Sequence, residues 1–149
     1  MRIVTADAAI DAALLRAYRE TEYRVLAPFA AVLRIGEECA ALAVVHRRYQ
    51  TTCSAFITAC NPRGRMADGA TNAQRQEALL EEIVRRGLAG IPGVGQHPTG
   101  DWPGESSYLV PGLGREAARD LGRQFEQNAI VWAGAQAVPE LVLCYLGSL

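Results

Sequence analysis

The run CSAFITACNP, residues 53–62, is apolar at odd and even positions alike until it reaches Asn61-Pro62. A strand with one wet side alternates polar and apolar residues, whereas one apolar on both faces lies centrally, covered on each side. Proline lacks a ladder donor and pushes the preceding residue out of helical geometry, so the strand hands over to a loop at Asn61. That loop, NPRGRMADGA over residues 61–70, is long, polar and glycine-containing, the kind of segment that carries function when a rigid strand positions it.

Elements read outward from this strand in both directions. On its C-terminal side, Thr71 with Gln74 makes a capping box, and Leu79, Leu80, Ile83, Val84 and Leu88 give the next helix one apolar face. Glu81 with Arg85 and Glu82 with Arg86 pair on its wet side, and Gly87 ends it. AGIPGVGQHP and ESSYLV follow as strands joined by TGDWPG, the glycines and prolines of the first marking an edge position or a bulge. A helix from about Arg115 to Glu126 turns Ala117, Ala118, Leu121, Gly122 and Phe125 inward, and AIVW and LVLCYL are the last strands. On the N-terminal side, Asp7 caps a helix carrying Ile10, Ala13, Leu14, Ala17 and Tyr18 to about Glu20. EYRVL and AVLRI form an antiparallel pair, and Glu37 and Glu38 sit at the start of a helix that ends at Arg47 and Arg48. The expected fold is α/β, with α+β as the alternative: one sheet of mixed strand direction covered by about four helices, in a single domain over residues 1–149.

Composition narrows the function. A chain of 149 residues, 50% hydrophobic, buries a core without staples, and a formal charge of -1 supplies no field for nucleic acid, so no nucleic-acid partner is expected. No apolar run reaches the length of a membrane span and no leader pattern opens the chain, so the expectation is a cytoplasmic protein with no membrane partner. The four cysteines, Cys39, Cys53, Cys60 and Cys144, form no CxxC pair and read as small buried hydrophobes rather than disulfide or zinc ligands. All 15 basic residues are arginine, which excludes Schiff-base, pyridoxal-phosphate and P-loop lysine chemistry. No metal and no cofactor is expected. Anionic ligands stay open, because arginine binds carboxylate and phosphate with two prongs.

Four marks occur in order: FITACNP at residues 56–62, Asn72 at a helix start, GDWPGESSYLV at 100–110 and LGRQFEQNAIVW at 121–132. Together they resemble a bacterial family known only as a domain of unknown function, across about Tyr18 to Trp132. The resemblance implies a small stand-alone cytoplasmic protein whose signature residues stand at strand ends. Cys60 departs from the pattern, which carries a larger side chain there, and this argues against a thiol function.

The polar residues at those ends are the candidate site. If the strands beginning at Glu105 and Asn128 lie beside the one ending at Asn61, then Asn61, Asn72, Glu105, Ser106, Gln127 and Asn128 converge on one rim of the sheet. Glu105 is the candidate acid/base, since a carboxylate near apolar strands has its proton affinity raised. Arg63 and Arg75, near the helix start at Asn72, would favour an anionic group, and Tyr108 with Trp102 could wall a planar ligand. Each residue also has a plainer use: loop-start amides bond their own backbone, and Trp102 can shield a hairpin end. A triad of His97, Asp101 and Ser106 is disfavoured because Ser106 lacks the small-residue elbow that lifts a nucleophile out of a strand. His46 has no ligand partner at helical spacing. The leading expectation is a module binding a compact polar or anionic ligand, a nucleotide or metabolite, with catalysis open. The alternative is an interaction or regulatory module forming a homodimer through an exposed strand edge around AGIPGVGQH.

Overall fold

Residues 54–57 form the inner strand that their two apolar faces require. In the computed structural model, which describes residues 12–100 and 103–145, Phe56 is buried on one face of the sheet and Ala55 and Ile57 on the other. The strands are β1 (Glu22–Val25), β2 (Ala31–Leu33), β3 (Ser54–Ile57), β4 (Ile91–Gln96), β5 (Glu105–Pro111), β6 (Ala129–Ala133) and β7 (Pro139–Leu143), in the order β2-β1-β4-β5-β3-β6-β7. The helices are α1, described over residues 12–20, α2 (Ala40–Arg48), α3 (Gly69–Arg85) and α4 (Arg115–Gln124). Asp7, Ile10, Asp101, Trp102 and the end of LVLCYL lie outside the described residues.

Every pairing in this α+β sheet is antiparallel, where mixed directions were expected. The reason is a split β-α-β arrangement. α3 links β3 to β4 with β5 inserted between them, and α4 links β5 to β6 with β3 inserted, so no two like-directed strands become neighbours. α3 and α4 pack on the outer face, burying Leu79, Ile83, Ala118 and Leu121 against Ala55, Ile57 and Val110. Burial of an aliphatic side chain as complete as that of Leu79 or Ile83 contributes roughly 1.5–3 kcal/mol. Gly122 permits close contact there: a Cβ on it would stand 2.6 Å from Cys144 Sγ.

The other face is concave. Seven flat strands at about 4.8 Å spacing would hold the outermost two about 29 Å apart. Instead, Gly36 N, just after β2, donates to Pro139 O of β7 at 2.8 Å, and Cys39 N donates to Ala137 O at 2.9 Å. The sheet therefore curls until its edges are joined by main chain. α2 occupies one end of the hollow, with Leu42 and Val45 against Val25, Leu33 and Ala133.

The strand around AGIPGVGQH is interior, not an edge as its glycines and proline suggested. β4 is flanked by β1 and β5. Gly93 is there because main chain and an aromatic ring crowd it: a Cβ would meet Arg24 O at 2.6 Å and Phe56 Cε2 at 2.8 Å. Pro92 is tolerated because β1 ends beside it, and its carbonyl still accepts from Leu26 N at 3.0 Å. The edge that the homodimer reading needed is thus already paired. The cap of α3 is also corrected: Asp68, not Thr71, is the N-cap, and its side chain accepts from Thr71 N at 2.7 Å. Glu82 alone pairs with both Arg85 and Arg86. No helix among the described residues is long and apolar enough to cross a membrane.

Candidate functional site

Antiparallel order decides which strand ends meet. The end of β3 lies beside the starts of β5 and β6, since Ile57 faces Tyr108 and Phe56 faces Val131 across the two ladders. Asn61, Glu105, Gln127 and Asn128, from three separate parts of the chain, therefore line one cavity. It has a volume of about 240 Å³ and lies on the inner face beneath α1, at the end that α2 leaves unfilled. Its walls are mainly apolar: Tyr18 and Ala17 of α1, Tyr23 of β1, Phe56 of β3 and Val131 of β6. Tyr23 and Phe56 meet edge to face at 5.5 Å between ring centroids.

Asn61 holds the polar end together. It is buried and left-handed, with φ 49°, a conformation that asparagine tolerates better than other side-chain-bearing residues. Its Oδ1 accepts from Ala67 N at 2.9 Å and from Asn72 Nδ2 at 3.0 Å, while its main-chain N donates to Asn72 Oδ1 at 2.9 Å. With its oxygen so occupied, the amide nitrogen must turn the other way, and Nδ2 donates to Glu105 Oε2 at 2.7 Å. Asn72 is thus a support behind Asn61 rather than a cap. Gln127 is buried, and its Nε2 donates to Cys60 O and to Phe125 O, both at 3.1 Å.

Alternation along β5 separates the remaining predicted residues. Glu105 and Ser107 face the cavity, whereas Ser106 and Tyr108 belong to the outer face, where they line an open groove beside α3. Ser107 and Thr58, which the sequence reading did not single out, line the cavity in their place. The period of two counted from Glu105 is the signal that would have found Ser107. The arginines are committed elsewhere. Arg75 donates from Nε to Ala59 O and from Nη2 to Phe125 O, both at 2.6 Å, and pairs with Glu126. Arg63 stacks its guanidinium over Tyr145 at 4.4 Å. Neither lines the cavity. His97 does, with its ring nitrogens turned to Thr99 at 2.9 Å and Glu20 at 3.2 Å, which ties the end of β4 to α1. Ser106 is on the other face, so the described part of the disfavoured triad does not assemble.

Burial, aided by Tyr18 and the Glu105 carboxylate, pushes the Tyr23 phenol well above its ordinary range, so it is neutral at any physiological pH. The Cys60 thiol is raised too, first by burial and further by Glu105, which keeps it an unreactive thiol. His46 lies far from the cavity. It is buried on α2 with Nε2 2.8 Å from Ser54 Oγ, a satisfied core histidine whose burial lowers its proton affinity. No cluster of metal-ligating side chains forms among the described residues.

A family model described as "Protein of unknown function (DUF3293)" matches residues 57–130, from the last residue of β3 to the second of β6. The match takes in Thr58, Asn61, Asn72, Glu105, Ser107, Gln127 and Asn128, the polar side of the cavity and its support. No curated protein and no solved structure gives a match.

Proposed function

We propose that the chain is a small-ligand-binding module whose site is the cavity on the inner face of the sheet. The observation that carries this reading is the meeting of Asn61, Glu105, Ser107, Gln127 and Asn128 in a mainly apolar hollow. Binding sites have this form: an apolar body fixes affinity, and a few placed polar groups fix orientation. An engineered cavity of about 150 Å³ holds benzene, so one of about 240 Å³ holds a ligand of about ten non-hydrogen atoms. Glu105, held by Asn61, orients that ligand. Its position also suits an acid/base role, but binding is the function that the lining supports directly.

A fragment screen tests the proposal, read by thermal shift and by NMR of the aromatic side chains. A fragment at about a hundred times its Kd adds about 2.7 kcal/mol of stability. At roughly 2–4 °C per kcal/mol for a chain of this size, the melting temperature should rise by about 5–10 °C. Tyr18, Tyr23 and Phe56 resonances should move with it. Glu105→Gln keeps an acceptor for Asn61 and should fold normally while losing the shift. Hits that move only Tyr108, on the outer groove, or an absence of hits would refute the site.

A further inference from the structure

We infer that the open groove on the outer face, between α3 and strands β4 and β5, takes an extended peptide of a partner protein in which basic and apolar residues alternate. The groove is separate from the cavity, so this inference stands or falls independently of the binding reading above.

The fold leaves this part of the outer face uncovered. α3 and α4 pack over β3, β5 and β6, but Pro92 of β4 is exposed and Leu26, just after β1, is 47% exposed. With Leu80 and Tyr108 they line a groove of about 580 Å³ beside α3. The helix contributes from Gly69 to Leu80, about 16 Å at 1.5 Å per residue, which is the span of about five residues of extended chain. Because β4 is paired on both sides, an occupant cannot add as a strand and must be held by side chains.

One of those side chains is set for a carbonyl. Gln76 is buried, 8% exposed, and its Oε1 accepts from Ala59 N at 2.7 Å, which fixes the amide's orientation. Among the described residues nothing accepts from its Nε2. The one fully buried side-chain polar atom without a partner is Arg119 Nε, so Gln76 Nε2 is open to the groove that the residue lines. An amide whose oxygen is locked meets an occupant as a donor, and a peptide carbonyl is its complement.

Charge decides the side chains of the occupant. Glu77 lines the groove, and Glu81 stands one turn further along α3. Neither has an ion-pair partner among the described residues: Arg85 and Arg86 both go to Glu82, while Arg24 of β1 and Arg34, just after β2, both go to Glu22. Side chains four apart on a helix stand about 5–6 Å from each other, and alternate residues of an extended chain about 6.6 Å. Basic residues at every second position therefore meet both carboxylates, and the apolar residues between them turn away from α3 toward Leu26 and Pro92.

Three peptides test this: acetyl-Lys-Leu-Lys-Leu-amide and its counterparts with glutamine or glutamate in place of lysine, titrated at pH 7 and low salt and followed by NMR. Two exposed ion pairs carry a gap of about fivefold between the lysine and glutamine peptides, with the glutamate peptide weakest. Tyr108 resonances should move while those of Tyr23 and Phe56 stay, and the gap should close at about 0.5 M salt. The exposed double variant Glu77→Gln, Glu81→Gln should fold normally and bring the first two peptides to within about twofold. Gln76→Glu keeps an oxygen for Ala59 N and removes the donor, so it should weaken the glutamine peptide by about threefold or more. Equal binding of the three peptides to the wild-type protein, tightest binding of the glutamate peptide, shifts at Tyr23 and Phe56 in place of Tyr108, or no binding at about 10 mM would each overturn the inference and leave the cavity reading untouched. The wild-type order and the double variant decide the matter even if Gln76→Glu fails to fold.

Discussion

Gly93 and Gly95 are two residues apart on β4 and share the inner face, yet they should respond to the same substitution with opposite signs. At Gly93 an added Cβ would stand 2.6 Å from Arg24 O, 2.8 Å from Phe56 Cε2 and 3.1 Å from Phe56 Cζ. The nearest obstacle is a carbonyl in the β1–β4 ladder, which cannot withdraw without breaking sheet pairing. Overpacking of this kind costs about 1–3 kcal/mol, offset by about 0.4–1 kcal/mol from the narrower unfolded ensemble of alanine. Gly93→Ala should thus lose roughly 1–2 kcal/mol and lower the melting temperature by about 2–8 °C. At Gly95 the nearest atoms to an added Cβ are Tyr23 Cδ1 at 3.8 Å and Thr21 Cγ2 at 3.9 Å, ordinary van der Waals contact at the cavity wall. Only the entropic term remains, so Gly95→Ala should gain about 0.4–1 kcal/mol, or about 1–4 °C. Gly95→Val extends the side chain into the hollow and should retain that stability while abolishing fragment binding. Reversible thermal melts of the two alanine variants at pH 7 are the assay. Equal losses at both positions would show that the inner face at Gly95 is packed solid and that no cavity exists there.

Asn61→Asp replaces the donor to Glu105 with a second carboxylate while keeping the acceptor for Ala67 N and Asn72 Nδ2. It should destabilise by about 1–3 kcal/mol at pH 7, and the deficit should shrink on acidification as one of the pair takes up a proton. Denaturant titrations at pH 7 and pH 5 giving the same deficit would refute the like-charge account. His46 supplies a separate pH effect, since burial lowers its proton affinity below the ordinary value near 6.5. The unfolded chain then binds the proton more readily, so this contribution to stability is complete above about pH 6.5 and is lost as the pH falls below it. His46→Gln should flatten stability against pH between 7 and 5, and an unchanged slope would place the effect elsewhere.

The sequence carried the position of β3 in plain form, because a run apolar on both faces has only one place in a sheet. It also carried the meeting of Asn61, Glu105 and Asn128, but conditionally: each stands at a strand end, and whether those ends adjoin depends on strand order, which local pattern does not encode. Ser106 was chosen over Ser107 by neglecting alternation from Glu105, a signal that was present. The glycines of β4 were read through their local meaning, as edge or bulge. Their actual cause is the ring of Phe56 and the main chain of β1, brought close only by the curl of the sheet. Arg75 shows the same limit. Its charge suggested an anionic ligand, whereas its partners are carbonyls at the end of β3 and the end of α4, invisible until those ends meet. EYRVL was legible as a strand, but its Tyr23 was not legible as a cavity wall. Asp68 was overlooked because Thr71 and Gln74 supplied a competing capping pattern three residues later.

The inner face is finished in two different ways within one molecule. At the α2 end, Val25, Leu33, Leu42 and Val45 fill the curl, and the buried His46 and Ser54 satisfy each other. At the α1 end, the same curl is left with about 240 Å³ open. The fold shows that an apolar plug is available to it, yet at this end it places a carboxylate, amides and hydroxyls. Among the described residues, no buried side-chain polar atom of the lining lacks a hydrogen-bond partner, so the polar end stands as it is and can add an occupant. A bound molecule with a polar edge toward Glu105 and an apolar body behind would cover Tyr23 and Phe56 of the lining, which water leaves wet. One curl thus carries both a face that the fold fills itself and a face whose lining has the form of a binding site.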